Sequence, residues 1–132
     1  SHLKHCIMKQ KILFILSLLF GLMFINGGLN KLFHYIPMPE NMPAETMKDF
    51  GAMMEISWLM PLLAVAEIVG GLLIIFPKTR ALGAIVIFPV MVGILLMHIT
   101  VDRSGLPMAL ALTAVLGWVM WENCDKYKPM IS

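Results

Sequence analysis

An all-α integral membrane protein, a bundle of four transmembrane helices with a short amphipathic helix on the outer surface between the first two, is predicted by three observations. Composition is the first: 59% of the 132 residues are hydrophobic and only 14% are charged, with a mean hydropathy of +0.84, far from the balance of an ordinary soluble domain. Spacing is the second. Apolar runs over residues 12–33, 57–76, 81–100 and 106–124 each approach the roughly 20 residues a spanning helix needs. Charge placement is the third. Lys4, Lys9 and Lys11 precede the first run, Lys78 and Arg80 join the second to the third, and Lys126 and Lys128 follow the fourth. Basic loops stay cytoplasmic, so an even number of spans puts both termini in the cytosol. Four spans consume most of the chain and make one domain of it. With a net charge of +2, nothing points to nucleic acid.

The first run carries Gly21, Gly27 and Gly28, small residues that let helices approach closely. Its basic start resembles a signal peptide, yet Asn26-Gly27-Gly28 is not a small-residue cleavage site, so it reads as a retained helix. Asn26 and Asn30 lie four apart and make one side of its outer half polar. The loop that follows holds Pro37, Pro39 and Pro43 and is long for a bundle connection. Within it, residues 44–55 space Met47, Phe50 and Met54 at helical intervals against Glu45, Lys48, Asp49 and Glu55, the pattern of a helix lying on a membrane surface. In the third span Pro89 removes one backbone bond. Ser104 is the expected N-cap of the fourth span, with Pro107 in its first turn. Trp58, Trp118 and Trp121 fall where aromatic belts lie.

Within the second span Glu67 stands alone among eleven Leu, Ile, Val and Phe residues. A charge at that depth costs about 3 kcal/mol on insertion scales, while each such neighbour returns about 0.3 to 0.6 kcal/mol, so the helix still inserts. An intramembrane acid is a candidate functional site by default. Counted along the helices, Asn26 lies somewhat outward of Glu67, and Asn30, Lys31, His34, His98 and Asp102 lie near the outer surface. Together they form a polar track up the outer half of the membrane. His98 and Asp102 share a helix face at a spacing of four; a solvated helix end is the plain alternative. Ala64, Gly70 and Gly71 keep the face around Glu67 small, with room for a neighbouring helix or a flat ligand. The direction of Lys31 decides what Glu67 is. A lysine snorkelling to the interface leaves a neutral hydrogen-bonding acid, and one turned inward makes an ion pair.

Cys6 and Cys124 both fall on the cytoplasmic side and read as free thiols, with no CxxC pair. No metal site is expected. A bis-histidine haem would have only His34 and His98 to use, and the thirteen Met residues read as filling rather than copper ligands.

The series Gly21-x-x-Phe24-x-x-x-Gly28-x-x-Lys31-Leu32, then Glu67-x-x-Gly70-Gly71, Arg80 after a turn, and His98 resembles the DoxX family of small membrane proteins over nearly the whole chain. Pro77 stands where the family often has Gly. The resemblance implies a four-helix bundle in a bacterial inner membrane and, in some members, sulfur or thiol oxidation with electrons passed to quinone. Named members include the membrane subunit of a thiosulfate:quinone oxidoreductase and components acting with soluble redox partners. On this reading the chain is the membrane component of a quinone-linked oxidoreductase. Glu67, His98 and Lys31 are its catalytic candidates, and Asn26, Asn30, Gly70, Gly71 and Asp102 its ligand-binding candidates. Quinone is the implied cofactor; the implied partners are the bilayer, a soluble redox protein and further copies of the chain. Two other readings stay open: a small-solute or proton carrier subunit, and a structural or assembly subunit for a soluble redox partner.

Overall fold

The computed structural model describes residues 2–38, 40–101 and 103–131. Among these the chain is all-helical, with α1 His2–Phe33, α2 Ala44–Glu55, α3 Leu59–Ile75, α4 Arg80–Thr100, α5 Leu106–Glu122 and α6 Cys124–Tyr127. One 3-10 turn, Arg103–Gly105, precedes α5 and another, Lys128–Met130, follows α6. The expected surface helix over 44–55 is α2.

The bounds differ from the expected spans where local chemistry overrides hydropathy. Helix α1 starts ten residues before the apolar run, because Leu3, Lys4, Met8, Lys9, Gln10 and Lys11 are good helix formers with no Gly or Pro among them. Its 32 residues extend about 48 Å, beyond the roughly 30 Å of a hydrocarbon core. At its other end His34 takes a left-handed φ of 53° and its N–H closes on the Asn30 carbonyl at 2.7 Å, which terminates the helix. His34 is thus an exposed helix terminator. Pro77 holds Phe76 extended and stops α3. Helix α5 ends at Glu122, two residues short of expectation, where the Asn123 side chain donates to the Val119 carbonyl at 2.7 Å. The N-cap position of α5 is Gly105 rather than Ser104, which lies inside the 3-10 turn.

Three described stretches are long and apolar enough to cross a membrane: α1, α4, and residues Arg103–Glu122. Helix α3, with 17 residues, reaches that measure only together with α2, from which it is bent by 93°; it is the fourth candidate crossing, and α2 lies flat when α3 stands upright. Outward-facing side chains such as Leu19, Leu62, Phe88 and Leu96 are about half exposed, a surface suited to lipid. Pro89 is also exposed, so its ring faces away from the core. Both chain ends lie on one side of the bundle, called here the terminal side, and α2 lies on the other.

Helix α3 is the centre of the bundle, packed between α1 and α4. The contacts are made by backbone. A Cβ placed on Gly21 would fall 2.5 Å from the Gly71 carbonyl, and one on Gly28 2.6 Å from the Ala64 carbonyl. On the other flank a Cβ on Gly83 would lie 2.5 Å from the Ile74 nitrogen, and one on Gly70 2.5 Å from the Ile87 side chain. Adjacent residues point about 100° apart on a helix, so Gly71 serves α1 while Gly70 serves α4. Phe20 and Phe24 stack at 4.7 Å and join Ile74, Ala84, Ile87, Met91, Leu116 and Val119 in the core. Helix α5 closes the ring against α4 and α1.

On the terminal side, orphan helix-end carbonyls of α3 are capped by side chains from the next helix start. Thr79 donates to the Leu73 carbonyl at 2.6 Å, and Arg80 to those of Ile74 and Ile75 at 2.9 and 3.0 Å. The tail then straps the same turn: Lys126 donates to the Pro77 carbonyl at 3.1 Å and the Tyr127 hydroxyl to the Ala81 carbonyl at 2.8 Å.

Two tests follow from this packing. Gly83→Ala forces a methyl onto backbone atoms and should lower stability by about 1 to 3 kcal/mol, whereas Gly93→Ala, with open space around it, should be neutral or slightly stabilising; thermal unfolding in detergent compares them. Burial pushes the Tyr127 phenol above its ordinary value, so folding favours the neutral donor. The strap is therefore fully held below the unfolded tyrosine value and released as alkaline pH rises through the folded one, and Tyr127→Phe should abolish that alkaline step in proteolysis of the tail.

Candidate functional site

The site is built by the α1–α3 contact. Gly28 opposes Ala64, and from that level Lys31 lies three residues toward the α2 side while Glu67 lies three residues toward the terminal side. Their backbones are therefore offset by about 9 Å along the axis, and the lysine must reach down the bundle to meet the acid. It does so. Lys31 Nζ donates to Glu67 Oε1 at 3.0 Å and to Oε2 at 2.9 Å, leaving Glu67 5% and Lys31 25% exposed at the side chain. The ammonium turns inward and the pair is an ion pair in the membrane interior. Gly27 faces the pair: a Cβ there would rest in ordinary contact with Glu67 Oε2, at 3.5 Å.

The rest of the expected track does not converge on this pair. Asn26 is exposed and takes the Tyr35 hydroxyl on both its backbone carbonyl, at 2.9 Å, and its side-chain oxygen. Asn30 accepts the Ile36 N–H at 2.8 Å. Both asparagines thus pin the chain leaving α1 back onto its last turn. Gly70 and Gly71 hold helices rather than free space: α4 and α1 fill the room the sequence left for a flat ligand. His98 sits about 12 Å farther toward the α2 side than Glu67, judged from the Gly70–Ile87 contact and the helical rise. Its ring packs on the backbone of Gly105. Asp102 lies outside the described residues. A groove of about 200 Å³ between α4 and α5, bordered by Phe88, Met91, Leu95, Thr113, Gly117 and Met120, is not lined by Lys31 or Glu67.

Four polar residues were overlooked or underread in the sequence. Arg80 is 5% exposed and caps α3, where the sequence made it an orientation marker and a position of the DoxX-like series with no structural role. Glu122 accepts the Trp118 indole N–H at 3.1 Å and pairs with Lys9 at 3.1 Å, tying α5 to α1. Ser17 and Thr46 are buried with hydroxyls that find no partner among the described residues. The signal for Arg80 and Glu122 was their place at a helix end.

Fold and pair together define a class: a small four-helix membrane protein with one lysine–glutamate ion pair between its first and second spans. Within that class the chain belongs to the DoxX family, whose model matches residues 12–99; that match carries Lys31, Glu67, Gly70, Gly71, Arg80 and His98. No curated protein and no solved structure matches the chain.

Breaking the pair from one side leaves a bare buried charge. Lys31→Met should therefore lose about 3 to 5 kcal/mol, while adding Glu67→Leu should recover most of it, as read from the folded fraction in detergent.

Proposed function

We propose that this DoxX-family protein is the membrane component of a quinone-linked oxidoreductase, with the Lys31–Glu67 pair as the group that holds and protonates the acceptor. The observation that carries the reading is the partial exposure of Lys31, an ammonium with three N–H groups of which two are directed at Glu67. The donor set fits a quinone carbonyl, a neutral acceptor of a kind a charge-balanced pair accommodates without stranding an ion. A bound quinone supplies the capacity to take up two electrons with two protons. Lys31 donates its third N–H to a carbonyl oxygen and stabilises negative charge that develops there. Glu67, ionised in the pair, balances that ammonium and stands beside it as a base that takes up a proton and passes it to the reduced acceptor. His98, about 12 Å outward, serves as a further proton-carrying group toward the α2 surface rather than a direct contact. Electrons arrive from a soluble redox partner. Membership of the DoxX family supports a bacterial inner membrane, and the distribution of lysines supports cytoplasmic termini, which puts α2 on the outer face.

A second reading, a structural or assembly subunit, is favoured by the completeness of the pair: both Glu67 oxygens are satisfied across two helices. The third, a carrier for protons or small solutes, has the titratable pair in its favour.

The test is binding of a short-chain benzoquinone and a naphthoquinone to the purified protein in nanodiscs, with folded fraction measured alongside. Glu67→Gln keeps an oxygen acceptor for Lys31, whose partly exposed ammonium can turn to the interface, so it should cost less than Lys31→Met and leave folded protein to assay, with binding weakened at least tenfold. Unchanged binding in a folded Glu67→Gln protein would sink the redox reading, and a loss confined to folded yield would favour the structural one. Proton flux in proteoliposomes without quinone would favour the carrier.

A further inference from the structure

We infer that Gly27 forms a lateral window through which a molecule dissolved in the bilayer reaches the Lys31–Glu67 pair. Such a molecule enters between α1 and α5 with its hydrogen-bonding head first and leaves its apolar tail in lipid. The glycines of α1 supply the first observation. Gly21 and Gly28 are closed off by α3, since a Cβ on either would fall within 2.6 Å of a backbone carbonyl. Gly27 differs. Outside its own stretch of α1, the one described atom that a Cβ there would approach within 4 Å is Glu67 Oε2, at 3.5 Å. Half-buried Gly27 therefore borders the carboxylate and is covered by no other side chain.

The direction it faces follows from the helical period. Gly27 stands eighteen residues after Lys9, five turns at 3.6 residues each, so the two share one line along α1. Lys9 meets Glu122 of α5 at 3.1 Å. Phe20, seven residues before Gly27 and on nearly the same line, lies in the core with Leu116 and Val119 of α5. That line is thus the side of α1 turned to α5. The seam is bridged at Lys9 and filled at Phe20, but at Gly27 α1 has no side chain to give and α5 brings no described atom within 4 Å. Lys31 follows four residues later on the adjoining strip, its side chain 25% exposed.

Depth selects the medium. Gly27 lies six residues, about 9 Å, inside the end of α1 at Phe33. Leu22 and Met23, about one turn before it, are exposed apolar side chains, and the amide of Asn26 is engaged by Tyr35. An opening in that flank admits molecules from hydrocarbon. A neutral carbonyl head can cross to it, whereas an anion would carry the full cost of desolvation. The window stands on this geometry; that the head is a quinone carbonyl rests on the reading proposed above.

Two measurements on the full chain in lipid bilayers decide it. A nitroxide is attached at Gly27→Cys in a Cys6→Ser, Cys124→Ser background, and its collisions with oxygen, which partitions into lipid, are compared with those of a neutral water-soluble nickel chelate. Collision with oxygen should match that of a label at Leu19→Cys, a position 54% exposed, and should exceed collision with nickel severalfold. A label shielded from both reagents, or reached mainly by nickel, would overturn the inference. Gly27→Leu fills the window and should weaken binding of the naphthoquinone at least tenfold in folded protein. Undiminished binding by folded Gly27→Leu, beside binding by the unaltered chain, overturns the inference as well. If the unaltered chain binds no quinone, the redox reading fails and the nitroxide alone decides the window; it also decides if Gly27→Leu does not fold.

Discussion

Close approach of α3 to its two neighbours is the constraint on which the molecule rests. Lipid tails are as apolar as leucine, so helices in a bilayer gain little by hiding apolar surface and associate through van der Waals packing and hydrogen bonds. Here the packing is backbone against backbone: Gly21 on Gly71 and Gly28 on Ala64 along one flank, Gly83 on Gly70 and Ile74 along the other. Bulkier residues would separate the axes, and a lysine offset by about 9 Å would then miss the carboxylate.

The Lys31–Glu67 pair is thus a consequence of the glycine contacts and also a check on them. Sliding α1 along α3 in either direction would cost the bidentate bonds and strand a charge where water is absent, so the pair penalises alternative registers. Replacing both charges by apolar groups would be nearly neutral for stability by the same reasoning. The lysine of the pair stays partly exposed while the carboxylate is buried.

At the opposite end the polar groups do different work. Thr79 and Arg80 close the carbonyls of α3, the tail straps the same turn through Lys126 and Tyr127, and Lys9 joins Glu122. A helix that ends near a membrane boundary must satisfy its last carbonyls with side chains or water, and the short turn after α3 supplies two of them within the following three residues of Pro77. The polar groups therefore divide by depth into one interior pair, loop-pinning contacts on the α2 side, and end caps on the terminal side.

Hydropathy and the spacing of prolines were enough to read the four crossings, the flat helix α2 and the exceptional position of Glu67 from the sequence, because each is a property of a single stretch of chain in a known solvent. The helix formers before residue 12 were legible too, but an apolar window does not count them. What a linear reading could not decide was which face of each helix meets which neighbour. Asn26, Asn30, Gly70 and Gly71 looked like the lining of one site because they share an end or a face with Lys31 or Glu67. Their roles in pinning a loop and in seating α1 and α4 depend on distances between segments far apart in sequence. The direction of Lys31 is the sharpest case. A lysine near a membrane surface is free to snorkel outward, and only the depth of the Gly28–Ala64 contact brings a carboxylate near enough for it to turn inward.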